Sequence, residues 1–164
     1  MQRRVEREAE RAEPTPGSAV PHARRGARAI TLLTIAFALF LLGLVALANS
    51  GVATRQLLAL AAKIPGRDKT VHFALMGTMS LLLNLAWRGA RWKLGALPSP
   101  LVVPKGSALV ALVVTAEEFT QKLVPVRSFS LEDLAYDYLG IAVLGTLGMW
   151  IAARIARRAS REGG

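Results

Sequence analysis

The chain has no cysteine, which excludes disulfide staples, thiolate metal sites and thiol nucleophiles and leaves redox chemistry silent about its compartment. It has no Walker loop, no G-x-S-x-G elbow and no dinucleotide fingerprint. Its 14 glycines are scattered at helix-packing positions, not gathered into a phosphate-binding loop. No metal-ligand spacing such as H-E-x-x-H occurs, so neither a metal nor a cofactor is expected. Acids are scarce and confined. Between residues 29 and 160 they are only Asp68, Glu117, Glu118, Glu132, Asp133 and Asp137, and the only histidine there is His72.

What the chain has in excess is apolar residues. At 164 residues it is long enough for one domain, and 52% hydrophobic residues is unusual for a soluble domain of that size. The apolar residues fall in four blocks, 30–48, 71–87, 108–124 and 134–153. Each is close to the roughly 20 residues that cross a hydrocarbon core about 30 Å thick. The expected fold is all-α, a multi-span transmembrane helix bundle of four spans over residues 29–153.

Residues 1–28 mix Arg with Glu and then run through Pro14, Pro16, Gly17 and Pro21, which predicts a flexible cytoplasmic tail with a short helix over 2–13. The first span ends in Ala46-Leu47-Ala48, similar to a signal-peptidase site. Its long charged lead and its extended apolar run favour a retained anchor. In the connector 51–67, the apolar run 57–62 suits an interfacial turn that Pro65-Gly66 stops. Asp68 then reads as the N-cap of the second span. Residues 88–105 carry Arg88, Arg91, Lys93 and Lys105 with no acid, and Pro98, Pro100 and Pro104 are expected to break regular structure there. Residues 154–164 form a second basic tail.

The third block holds a conflict. Starting from Ser107 it is uninterrupted only to Ala116, ten residues that rise about 15 Å. A spanning helix must therefore carry Glu117 and Glu118 within the membrane. In the fourth block Asp133, Asp137, Gly140, Leu144 and Gly148 share one narrow stripe, two carboxylates above a small-residue packing seam.

A net charge of +10 raises the question of nucleic acid, but the basic residues sit in the tails and at block ends, where no soluble platform for a duplex exists. Membrane topology accounts for them. With both termini cytoplasmic, inner segments hold seven basic residues in the first tail, four in loop 88–105 and four at the C-terminus, against four and two in the outer loops. Every acid of the spanning region and His72 then lie near outer helix ends. This predicts one outward-facing polar pocket formed by spans two, three and four.

An ionised side chain near mid-bilayer costs at least ~2.5–3.5 kcal/mol and is normally paired or faces water. Glu117 and Glu118 point about 100° apart on a helix, with Gln121 between them, so one is expected to face the bundle while the other reaches toward the interface or stays protonated. Arg127 can hold a carboxylate bidentately or bind an anionic ligand. Ser130 stands three residues before Asp133, the spacing of a capping arrangement. His72, with Asp68 one turn earlier, has the makings of an oriented general base, and with Glu118 and Asp133 or Asp137 it has the residue types of a hard-metal site, a reading ranked low because no fixed metal-ligand spacing accompanies it. The catalytic candidates are thus His72, Asp68, Glu118 and Asp133, and the ligand-binding candidates Lys69, Gln121, Arg127, Ser130 and Asp137. Met76 and Met79 read as packing. Asn84 reads as an interhelical hydrogen bond, and Trp87 and Trp92 as interfacial anchors.

These positions resemble the VanZ-like family of small bacterial membrane proteins. Members carry D-K-x-x-H-F at the opening of one span, matched by Asp68, Lys69, His72 and Phe73. Glu118 and Gln121 match the E-x-x-Q that follows, Pro125, Arg127, Ser130 and Asp133 the turn, and Asp137 and Gly140 the helix D-x-x-x-N-x-x-G. The resemblance covers residues 68–150. Two departures stand out: Met76 replaces a frequent aromatic, and Asp137 the usual Asn, adding an acid to the cluster. The resemblance implies a multi-pass protein of the bacterial cytoplasmic membrane, and a link to low-level resistance to teicoplanin, which acts at the outer cell surface.

Two functions from different classes fit these residues. One is binding or modifying a cell-envelope component, an anionic envelope lipid or cell-wall precursor, with the lipid bilayer as surroundings and no nucleic acid. The other is a non-enzymatic structural or partner-binding module whose polar cluster stabilises the bundle. A proton-coupled transporter ranks below both, because the inner halves of the spans offer only Ser80, Asn84 and Ser107.

Overall fold

Residues 20–50, 67–95, 101–121 and 130–162 are described by the computed structural model. They form helices α1 (Val20–Asn49), α2 (Arg67–Ala86), α3 (Lys105–Gln121) and α4 (Leu131–Glu162), with strands β1 (Arg91–Leu94) and β2 (Leu101–Pro104) between α2 and α3. The chain is mostly helical, and two of these helices are long and apolar enough to cross a membrane, over Arg25–Asn49 and Leu131–Arg161. Helices α2 and α3 are shorter, at 20 and 17 residues.

Helix α1 starts at Val20, inside the tail expected to run to residue 28. Pro21 falls in the first turn, where its missing N–H has no helical partner to lose, and nothing from His22 to Arg28 breaks the helix. The expected helix over 2–13, the interfacial turn over 57–62 and the positions Pro125, Arg127 and Ser128 lie outside the described residues.

Packing is closest between α2 and α4, along the predicted seam. A Cβ added to Gly140 would run into the backbone carbonyl of Phe73, and one on Gly148 would stand 2.8 Å from the carbonyl oxygen of Leu81. Absence of side chains at these two points lets the backbones approach directly. Leu83, Val110, Val114 and Ile141 form the apolar core, with Met76 and Met79 packed against it as expected.

The rest of the burial pattern is inverted relative to a water-soluble domain. The fully buried large side chains are Glu118, Asn84, Asp137 and Ser80. Large apolar side chains are exposed on three of the helices, including Leu32, Leu39 and Leu42 on α1, Leu112 and Val113 on α3, and Leu139 and Val143 on α4. Helix α1 is held to α2 at Thr34, whose hydroxyl donates to its own Ile30 carbonyl at 2.8 Å and reaches the Leu82 carbonyl at 3.4 Å.

The segment between α2 and α3, expected to lack regular structure, forms an antiparallel ribbon pairing Arg91 with Pro104, Trp92 with Val103, Lys93 with Val102 and Leu94 with Leu101. Its prolines do not prevent this. Pro98 and Pro100 fall between the strands, and Pro104 ends the second strand of a ribbon that has no third strand, where a missing donor is tolerated. The Lys105 amide donates to the Ala90 carbonyl at 2.9 Å and closes the ribbon directly into α3.

Candidate functional site

Three helix ends meet around the predicted polar cluster. Helix α2 supplies Lys69 and His72 from its first turns, α3 supplies Glu117, Glu118 and Gln121 from its last, and α4 supplies Glu132, Asp133 and Asp137 from its first. Ser130 sets the start of α4. Its hydroxyl accepts from the Asp133 amide at 3.2 Å and its carbonyl accepts from the Leu134 amide at 3.2 Å, so the capping spacing read in the sequence is realised.

Glu118 is the carboxylate that faces the bundle, and it is buried. One oxygen accepts from the Ser130 amide at 2.6 Å and the other from Gln121 Nε2 at 3.1 Å. The same Gln121 nitrogen donates to Glu117 at 2.6 Å, so the amide bridges the two acids whose directions it was expected to lie between. Glu118 therefore ties the end of α3 to the beginning of α4 through a charge-assisted bond to a backbone N–H.

His72 finds its partner on another helix. Its Nδ1 lies 3.1 Å from Asp137 Oδ1, and Asp137 is fully buried while His72 keeps about a quarter of its side chain accessible. The expected partner, Asp68, lies in the first turn of α2, not at its N-cap, and its side chain is outside the described residues. A carboxylate that accepts from Nδ1–H fixes the ring and its tautomer, leaving Nε2 as the basic nitrogen, which suits proton transfer or hydrogen bonding to an incoming group. The second oxygen of Asp137 has no hydrogen-bond partner among the described residues.

Lys69, a candidate anion holder, pairs with Glu132 at 2.7 Å and lies 5.7 Å from the centre of the Tyr136 ring. Sequence reading missed that pair, because Glu132 stands on a different helix and no local spacing links the two. Asp133 stands in the first turn of α4, partly buried, and its backbone amide makes the cap. Arg127 lies outside the described residues. Among the described residues no three His, Asp or Glu side chains come together as a metal-binding group.

A second polar layer lies deeper, two to three turns along α2. Ser80 and Ser107 hydroxyls are 2.9 Å apart, and Asn84 Nδ2 donates to Ser107 at 2.9 Å and to the Gly145 carbonyl at 3.1 Å. The interhelical hydrogen bond expected of Asn84 is present, joined by Ser80 and Ser107, the two serines that the sequence placed with it in the inner halves of the spans. Comparison with family models, curated proteins and solved structures gave no match to this chain.

Proposed function

We propose that this chain is a VanZ-like, multi-pass protein of the bacterial cytoplasmic membrane, with four spans and both termini cytoplasmic, which binds or modifies an anionic envelope component at its outward-facing polar end. The inverted burial supports the membrane reading. Apolar outer faces suit lipid, and the polar groups inside find partners on neighbouring helices. At 17 residues α3 rises about 26 Å, so its terminal Glu117, Glu118 and Gln121 fall at the outer edge of the hydrocarbon. The preponderance of basic residues in the tails and in loop 88–105 sets the orientation.

The observation that carries the functional part is the His72–Asp137 pair, a partly accessible imidazole held by a fully buried carboxylate. Helix association needs no charge there, since Asn84 and the serines achieve it with neutral groups. In this reading Lys69 and Arg127 attract the anion, and His72, with Glu118 or Asp133 beside it, supplies acid and base where a bond is made or broken. The test is His72→Ala and Arg127→Ala in cells, each at normal protein abundance. Loss of a teicoplanin-type or other envelope-antibiotic phenotype is expected. Unchanged resistance with both variants would sink the reading.

Glu118 favours a second reading in which the cluster only holds the bundle. Both of its oxygens are occupied by groups of the protein itself. On that reading the same substitutions lower abundance or thermal stability, and no envelope lipid co-purifies in native mass spectrometry.

A further inference from the structure

At the other end of α2 from His72, the chain leaves the helix in an unfavourable way. Arg88 adopts φ 53° and Gly89 φ 71°, two consecutive left-handed residues, with the Gly89 amide donating to the Asn84 carbonyl at 2.8 Å. Glycine suits this conformation, and an arginine in it is strained. Arg88 reaches an open pocket of about 380 Å³ between α1 and α2, lined also by Ala27, Arg28, Thr31, Leu32 and Ala86. Two arginines thus line it together with the aliphatic Ala27, Leu32 and Ala86 and with Thr31. Neither has an ion pair with an acid among the described residues, and residues 88–105 contain no acid at all. Trp87 and Trp92 are exposed at this end, and Lys105 Nζ lies 5.6 Å from the centre of the Trp92 ring, the aromatic and basic composition of the headgroup level.

We infer that this pocket binds one anionic phospholipid, its phosphate between Arg28 and Arg88 and an acyl chain along Leu32 on α1. Charge selects the class: two cations that have no carboxylate partner among the described residues favour a headgroup of net negative charge over a zwitterionic one. The apolar wall selects a lipid over a free phosphate. Basic pockets between spanning helices on the cytoplasmic side are known to recognise such headgroups. The site is separate from the polar cluster and rests only on the membrane reading proposed above.

The test uses the purified full chain in nanodiscs of equal parts phosphatidylglycerol and phosphatidylcholine, with retained lipid counted by native mass spectrometry. The wild type retains phosphatidylglycerol in preference. Arg28→Gln and Arg88→Gly each reduce that preference about fivefold, while Arg161→Gln, the same charge change at the far end of α4, leaves it within about twofold. Arg88→Gly also relieves the left-handed strain, so its melting temperature is equal or higher and a loss of lipid cannot be put down to misfolding. Equal retention of both lipids by the wild type, or an equal loss with Arg161→Gln, would overturn the inference. Extraction of the membranes with alkaline carbonate separates the two claims. A chain that stays in the membrane but shows no lipid preference defeats this site alone, and a chain that is released defeats the membrane reading with it.

Discussion

The two polar layers of the bundle draw on the same three helices and yet are chemically unlike. The deeper one, Ser80, Asn84 and Ser107 with the Gly145 carbonyl, is neutral, and among the described residues only its Asn84 Oδ1 lacks a partner. The outer one, His72, Glu118, Gln121 and Asp137, is ionisable, and it keeps one fully buried carboxylate oxygen unpartnered among the described residues. Neutral hydrogen bonds between helices in lipid contribute about 0.6 kcal/mol on average and up to ~2 kcal/mol, which is enough to fix rotation and depth without burying charge. Each layer leaves one buried oxygen unpartnered among the described residues, so what separates them is charge: the deeper layer joins the helices with neutral groups, and the outer layer buries ionisable ones that association does not require.

The sharpest way to break the contrast is to put a charge in the neutral layer. Asn84→Asp removes the donors to Ser107 and Gly145 and buries a carboxylate far from water. We expect a loss of about 3 kcal/mol, close to the insertion cost of a mid-membrane charge, read as lower abundance and a lower melting temperature at pH 7. Gly145→Val acts on the same layer through volume. A Cβ there already meets the Ser107 hydroxyl at 2.5 Å, so α2, α3 and α4 must separate, at about 2 kcal/mol.

The reverse substitution, Asp137→Asn in the outer layer, keeps the shape and an acceptor for His72. Stability should change by less than about 1 kcal/mol, while lipid or antibiotic phenotypes fall. A large drop in melting temperature would instead assign Asp137 to packing and align the two layers. The smallest effect belongs to the rim. A double-mutant cycle on Lys69 and Glu132 should give a coupling below about 0.5 kcal/mol, since Glu132 is largely exposed and water competes for the pair.

Much of the bundle was legible along single helices. Helical periodicity identified the Asp137–Gly140–Gly148 stripe, the Ser130 cap and the opposed directions of Glu117 and Glu118, because each depends on spacing within one helix. Relations between helices were not legible. His72 was matched with Asp68, one turn away, because periodicity sees only its own helix, and the structure supplies Asp137 from α4. Which of the two glutamates faces inward depends on how α3 is rotated, and only the buried position of Glu118 decides it. The ribbon of β1 and β2 escaped because the prolines were read as a general break, whereas their consequence depends on where they fall relative to the paired residues.

The sequence by itself determined the mostly helical chain and the seam on α4, since apolar run length and glycine spacing act locally. It also determined that acids and His72 gather at one end of the helices and most of the basic residues at the other. Tertiary structure alone decided which polar groups meet. Depth and rotation between helices arise from close approach at Gly140 and Gly148, which sets Asp137 beside His72, and at Gly106, where an added Cβ would stand 2.8 Å from the Asn84 backbone nitrogen and which sets Ser107 beside Ser80.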